Sequence, residues 1–483
     1  MTFERNQPMK HPIMGFENLH RHSDFSLQDG FARVEEYAEE MTKIDQKYLC
    51  ITDHGVMGAV PQQIACAEEY NLHALFGCEM YVNSMQPKAE TRDESKKFRA
   101  DLGSDELKKK FDKSSHLLGI AYNNKGYQNL VRLTSWAWKH GYYKKPRVNH
   151  DAINQFKEGI IFTSTCANSE IANALFNEGE DAAWQMLDKY IAMFGEHFYL
   201  ELMMLDFELQ KPYDAFLIKA HVKYGIQLIM TCDCHYCKKE HSHNQHLQLL
   251  NQRGRTLADA YALKDEGVDV FELQDTNLWM KREDELNEMW EREYSEVIDY
   301  ELYKQAKANT VIVCEKAKGV QIDRELKLPK IQDADEKLWE ATIEGLKNRH
   351  CPQTKEYEVR VKEEYDLITS KGFSSYFMIQ QMMTDTARKL GPEILGFGDG
   401  SECVGPGRGS VCGSLVAYAL RLHDVEPIIH DLKFSRFLSP ARGGKQMRIR
   451  GTIKPIAHEE ISVEPEPELE VLEGKIDDVG SIF

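Results

Sequence analysis

The sequence predicts an α/β protein in which parallel strands alternate with helices. Seven short apolar, β-branched runs punctuate the first half, namely "FENLHRH", "YLCITDH", "HALFGCEMYV", "HLLGIAY", "GIIFTSTC", "HFYLELMM" and "IQLIMTCDCH". Between them lie stretches of helical periodicity built from good helix formers, such as "ARVEEYAEEMTKID", "VPQQIACAEEYN", "GYQNLVRLTSWAWKHG" and "DAAWQMLDKYIAMFG". The chain has 483 residues and 42% hydrophobic side chains, enough for two or three domains with cores of their own. Strand then helix, repeated, requires parallel strands joined by crossovers, in an open doubly wound sheet or a closed barrel.

Six of the seven runs carry a candidate ligand. His20 and His22 end the first; two apart on a strand, they share a face, while Leu19 and Arg21 look away, and Asp29 follows in the next loop. Asp53 and His54 end the second run, Glu79 sits late in the third, Cys166 ends the fifth, and Asp233 and His235, again two apart, end the seventh. Strand ends running into loops are where parallel α/β barrels build active sites. His116 opens its run instead of closing it and fits that rule less well. With 18 histidines in the chain one such pair arises readily, but the collection does not. Imidazole, carboxylate and one thiol suit divalent transition ions, and so many donors imply two or three of them, Zn2+ or Mn2+. Ions a few ångströms apart turn water into a nucleophile and stabilise the entering and leaving oxygens of a phosphate ester, which points to phosphoester hydrolysis.

The formal net charge of -18 excludes a wholly basic nucleic-acid coat, though not an enzyme that meets DNA through local patches. "KKFRADLGSDELKKKFDK" reads as a solvated face or loop, whereas "KHGYYKKPR" mixes tyrosines with basic groups and is the better strand-binding candidate. The 11 cysteines read as thiols of a reducing compartment. No run of eighteen apolar residues occurs and "MTFERNQPMKHPIMG" lacks the apolar middle of a signal peptide, so no membrane is expected and a cytoplasmic location is. "CDCHYCKKEHSHNQH" tempts a zinc knuckle from Cys232, Cys234, Cys237, His241 and His243, but its spacing fits no common module, and the histidines read as the first turns of a helix. Further on, "VGPGRGSVCGS" offers glycines whose amides turn toward an anion. Gly407, Arg408, Gly409 and Ser410 are the candidate phosphate-binding residues, and the helix "SLVAYALRL" is expected to aim its N-terminus at the same anion.

"LHRHSDFSLQDG", "ITDHGVMGAV", "GCEMYV", "STCANSEIA" and "CDCHY" resemble the polymerase-and-histidinol-phosphatase domain that begins the alpha subunit of bacterial DNA polymerase III. "EEYDLITSKGFSSYFMIQQMM" and "GFGDGSECVGPGRGSVCGSLVAYALRLHDVEPIIHDLKFSRFLSPARGG" look like the start of that subunit's palm. The resemblance implies a distorted (β/α)7 barrel over residues 1–285, a partial α+β palm over 286–447, and an acidic tail over 448–483 that acts as a linker or interaction segment. It also implies nine metal positions, here His20, His22, Asp29, His54, Glu79, His116, Cys166, Asp233 and His235, with His22, Asp233 and His235 catalytic. A full set implies a 3′-to-5′ proofreading exonuclease, and the glycine-rich loop becomes the triphosphate cradle.

Relatives carry metal-binding aspartates shortly after "RFLSPARGG"; here the adjacent Asp477 and Asp478 cannot replace a pair one residue apart, because neighbours on a strand face opposite ways. Mg2+-dependent polymerisation is therefore expected only if a second chain completes palm, thumb and fingers. Primer-template DNA and deoxynucleoside triphosphates are the implied substrates, a sliding clamp or other replisome proteins the implied partners, and a bacterium or its virus the implied source. Two other readings compete. A free-standing phosphatase of small phosphomonoesters has no use for the palm-like segment, and a structural decoy has none for a full ligand set.

Overall fold

The computed structural model describes residues 15–268, 270, 277–324, 327, 329–396 and 398–439. The expected tail over 448–483, with Asp477 and Asp478, lies outside the described residues. The chain divides between Asp323 and Arg324 into two compact units.

The first unit contains eight strands: β1 (Tyr48–Ile51), β2 (His73–Val82), β3 (Ser115–Ala121), β4 (Tyr142–Tyr143), β5 (Lys145–Val148), β6 (Ile160–Thr163), β7 (Phe198–Met203) and β8 (Leu228–Thr231). Their order is β4-β5-β2-β3-β6-β7-β8, with β1 also on β2. The first apolar run forms no regular strand. It lies extended between the two ends of the sheet: Arg21 bridges Cys234 just past β8, and Thr52, just past β1, donates its amide to the Arg21 carbonyl. These contacts close a distorted seven-membered ring from the seven runs, and the β4–β5 hairpin, absent from the sequence expectation, is added outside it on β2.

The ring is not all parallel, which corrects the strand-then-helix expectation. β3 runs antiparallel to both β2 and β6, while β1–β2, β6–β7 and β7–β8 are parallel. The reversal removes the difficulty with His116. Because β3 points the other way, its first residues lie at the rim where its neighbours end, and His116 pairs with Tyr81 near the end of β2.

Strand alternation sorts the side chains. One face of β1, β2, β3, β6, β7 and β8 feeds an apolar cluster that includes Cys50, Leu75, Leu118, Ile120, Ile161, Tyr199 and Ile229, joined by Leu19 of the first run and by Val313, Cys314 and Ala317 of the helix Tyr300–Ala317. That helix packs on β8, so the first unit runs to Asp323 instead of ending at residue 285. The other faces, including Phe76, Met80, Leu117, Phe162, Leu200 and Met230, pack in a second cluster with residues of the surrounding helices such as Tyr37, Leu130, Leu187 and Leu217. Two steps along the first face from Leu75 through Gly77 lies Glu79; one step from Leu118 lies His116; two from Ile229 lies Asp233. On β2, β3 and the end of β8 the apolar interior and the candidate ligands are thus successive layers of the same inward rows.

The described part of the second unit is helical, with Ala334–Asn348, Lys355–Ser370, Ser374–Leu395 and the short Leu415–Ala419 around Leu338, Ile368, Phe377, Val416 and Leu420.

Candidate metal centre

All nine predicted ligands meet at one rim. His20 and His22 are fully buried with their Nε2 atoms 3.1 Å apart, as expected for residues i and i+2 of one extended segment. Glu79 joins the set from β2: its Oε2 lies 3.4 Å from His22 Nε2 and 2.9 Å from His54 Nδ1, and its Oε1 lies 3.2 Å from His116 Nδ1. Asp233 Oδ1 stands 3.4 Å from His20 Nε2 and 3.2 Å from His22 Nε2. Asp29 Oδ2 is 3.3 Å from His54 Nε2, and Cys166 Sγ is 3.8 Å from His116 Nδ1. The His235 ring stacks on His22 at 4.4 Å, and its Nδ1 is held 2.9 Å from the Asp233 carbonyl. Three overlapping triads, His20–His22–Glu79, His22–His54–His235 and His54–Glu79–His116, each bring their donor atoms within 4.8 Å of one another.

The chemistry of the cluster fits cations. Asp29 Oδ1, His54 Nδ1, Glu79 Oε1 and Asp233 Oδ1 are buried without a hydrogen bond of good geometry and face chiefly one another and the cluster's imidazoles, although groups in such surroundings are almost always well paired. The protonation states tell the same story. Burial alone would lower the His54 pKa, but the Asp29 and Glu79 carboxylates hold it up at about 10. Burial also works against a charged His20, and Asp233, Glu79 and Glu201 outweigh it, raising its pKa well above the ordinary imidazole range. Burial together with His54 and His235 drops His22 to about 3. Against its burial, Glu79 is held well below the usual carboxylate range by His116, His20 and His54. Protons on His20 and His54 thus balance carboxylates that a bound cation would otherwise neutralise.

Of the supporting groups, Glu201 is one the motif reading missed, while Asp53 stands at the run end where the sequence placed it but supports the site instead of joining the nine ligands. Glu201, fully buried on β7, places Oε1 2.9 Å from His20 Nδ1 and accepts hydrogen bonds from Thr231 Oγ1 (2.6 Å) and Thr163 Oγ1. That is the carboxylate–histidine arrangement that fixes which imidazole nitrogen faces a metal. Its signal is alternation, since in "FYLELM" Glu201 shares the inward row with Tyr199. Asp53, one residue from His54, accepts from the Ser23 amide (2.6 Å) and from Ser26 Oγ (3.0 Å), while Ser26 Oγ also lies 3.1 Å from His22 Nδ1. Burial pushes the Asp53 carboxyl up to about 6. Cys232, Cys234 and Cys237 are buried free thiols, and His243 lies in the first turn of the helix Ser242–Gln252, where the sequence placed it.

The second unit departs from expectation at its glycine-rich loop. Gly407, Arg408, Gly409 and Ser410 are exposed, and Gly409 takes the left-handed φ of +70° that favours glycine. The following helix does not aim at an external anion. Its Leu415 and Val416 amides and Ser414 Oγ donate to Glu364 (3.0, 3.1 and 2.8 Å), a fully buried carboxylate also bound by Arg360 Nε at 2.6 Å. A residue 50 positions upstream thus takes the place assigned to phosphate, and Ser414 caps the helix through the Ala417 amide.

Comparison with known proteins agrees with this anatomy. Residues 18–204 match the PHP domain family and residues 336–445 the bacterial DNA polymerase III alpha NTPase domain. DNA polymerase III subunit alpha of Saccharopolyspora erythraea is 29% identical over 448 residues, covering 89% of this chain and 35% of the relative. That of Borreliella burgdorferi is 30% identical over 435 residues, covering 88% and 34%. A candidate metal-dependent phosphoesterase from Bifidobacterium adolescentis, at 15% identity and a TM-score of 0.28, covers 47% of this chain and 89% of its own. The chain spans about a third of the length of the curated relatives it matches. The chain thus carries a match to the PHP domain and one to the bacterial DNA polymerase III alpha NTPase domain, and it aligns with about the N-terminal third of curated relatives named DNA polymerase III subunit alpha.

Proposed function

We propose that the first unit is a divalent-metal-dependent phosphodiesterase acting as a 3′-to-5′ exonuclease on DNA, within a protein whose second unit contributes to a DNA-directed DNA polymerase. The observation that carries this is the convergence of His20, His22, Asp29, His54, Glu79, His116, Cys166, Asp233 and His235 around four buried polar atoms without a hydrogen bond of good geometry. These nine residues would hold two or three ions of the Zn2+ or Mn2+ class. Bound there, such ions supply Lewis-acid stabilisation of phosphate oxygens and a more acidic water.

The chain's own groups divide the remaining work. The His20, His22 and Glu79 side chains, at 0, 0 and 1% exposure, anchor the deep end, whereas Asp29, His116 and Asp233, at 23, 14 and 11%, form the edge that solvent and substrate reach. Asp233 Oδ1 faces His20 and His22 from that edge and is placed to take the proton of the attacking water. His235, tied by Nδ1, keeps Nε2 for the cluster, and His22 spans both triads built on the first run. In the second unit, the exposed amides of Gly407 to Ser410 and the Arg408 guanidinium are proposed to take nucleotide phosphate without help from the Leu415–Ala419 helix. Primer-template DNA and deoxynucleoside triphosphates are the substrates this reading implies, with Mg2+ for polymerisation, a completing chain and replisome proteins as partners.

A 5′-labelled primer incubated with the purified chain and Mn2+ or Zn2+ should shorten from its 3′ end. His22→Ala or Asp233→Ala should abolish the shortening, by a factor on the order of a thousand or more. Unchanged shortening by either variant would trace the activity to another protein.

A further inference from the structure

An exposed aromatic ladder stands beside the metal centre, and neither the ligand cluster nor its support uses it. Trp138, near the end of the helix Asn124–His140, is 48% exposed. Its Nε1 donates to the Gly55 carbonyl at 3.0 Å, one residue beyond His54, which fixes the indole against the loop that carries a ligand. The ring stacks on Tyr142 at 5.4 Å, and the Arg92 guanidinium lies 4.1 Å from the Tyr142 ring centre. A second route reaches the same ligand, because Lys145 Nζ sits 4.2 Å over the Tyr81 ring, which stacks on His54 at 5.3 Å. Both routes end at His54, from the β4–β5 hairpin that carries Tyr142 and Lys145.

We propose that Trp138, Tyr142 and Arg92, with Lys145 beside them, form a platform on which the bases of single-stranded DNA stack as its end enters the metal centre. A ladder that only pinned the hairpin would bury its largest aromatic surface, and Trp138 leaves about half of it in water. An exposed π face accepts any base, and cations alongside it neutralise the phosphates between bases. They do so locally on a chain whose formal net charge is -18. A phosphomonoester without a base has nothing to stack there, so the platform favours nucleic acid over such substrates.

The inference rests on the nuclease reading for its substrate, but its test does not depend on hydrolysis. The full chain is titrated in EDTA with a labelled oligo-dT and with an abasic oligomer of equal length, read by fluorescence anisotropy. Wild type should bind oligo-dT about ten-fold more tightly than the abasic strand. Trp138→Ala should erase that difference, Trp138→Phe, which can still stack, should keep most of it, and Arg92→Gln should lower the salt slope for both strands by about one. Equal binding of the two strands by wild type, or a preference surviving in Trp138→Ala, would overturn the platform. Because no metal is present, these results are independent of whether the nine-residue cluster hydrolyses anything.

Discussion

His20 is held from behind by a carboxylate that three strands supply together: Glu201 from β7, steadied by the Thr163 hydroxyl at the end of β6 and Thr231 at the end of β8. Replacing Glu201 by Gln keeps the shape but removes the charge that orients the imidazole. Metal affinity should fall about 10- to 100-fold, measured by competition with a chromogenic chelator, with the fold unchanged by circular dichroism; undiminished affinity would reduce Glu201 to packing. The histidines also predict proton release. With His54 held up at about 10 and His20 raised, both carry protons at neutral pH that a cation must displace. Metal affinity should therefore rise with pH from neutrality toward about 10. Calorimetry in two buffers of different ionisation enthalpy should show protons leaving as metal binds; no buffer dependence would contradict these protonation states.

At the scale of elements, the ligand loops hold unusual backbone. Asp233 and Thr165, the latter next to Cys166, adopt left-handed φ values of 45° and 48°. For a β-branched threonine that is a strained conformation of the kind that gathers at functional sites. Gly30, after Asp29, is required by space: a Cβ there would sit 2.0 Å from the Ser23 carbonyl, which is already engaged by the Ser26 amide. Gly30→Ala should destabilise the first unit by about 1–3 kcal/mol and lower metal content by displacing Asp29, read by thermal melting and metal analysis on one preparation. The i, i+2 pairs His20/His22 and Asp233/His235 were legible because strand alternation needs no partner to be known. The reversal of β3 was not, because an apolar run reads alike in both directions, and only its pairing with β2 and β6 sets the sense. The β4–β5 hairpin was hidden for a different reason, since its strands of 2 and 4 residues are too short and basic to register as apolar runs.

For the molecule as a whole, the chain divides into two compact units. The aim of the Leu415–Ala419 helix shows what a linear motif omits: the start of a helix after a glycine-rich loop reads as free for an anion until a distant residue, here Glu364, is seen to occupy that helix start. Glu364→Ala would leave Arg360 and two helix-start amides without their buried partner, destabilising the second unit by about 3–5 kcal/mol while the metal content of the first stays as in wild type. A parallel loss of metal would show that the nine-residue centre depends on the second unit.

The central claim is that nine side chains from seven stretches of chain make one cation site. Metal analysis of the purified full chain tests it most directly. It should find roughly two or three transition-metal ions per molecule, removed by chelation and restored by Mn2+ or Zn2+. A preparation that is folded, is supplied with these ions and still retains none would contradict the account.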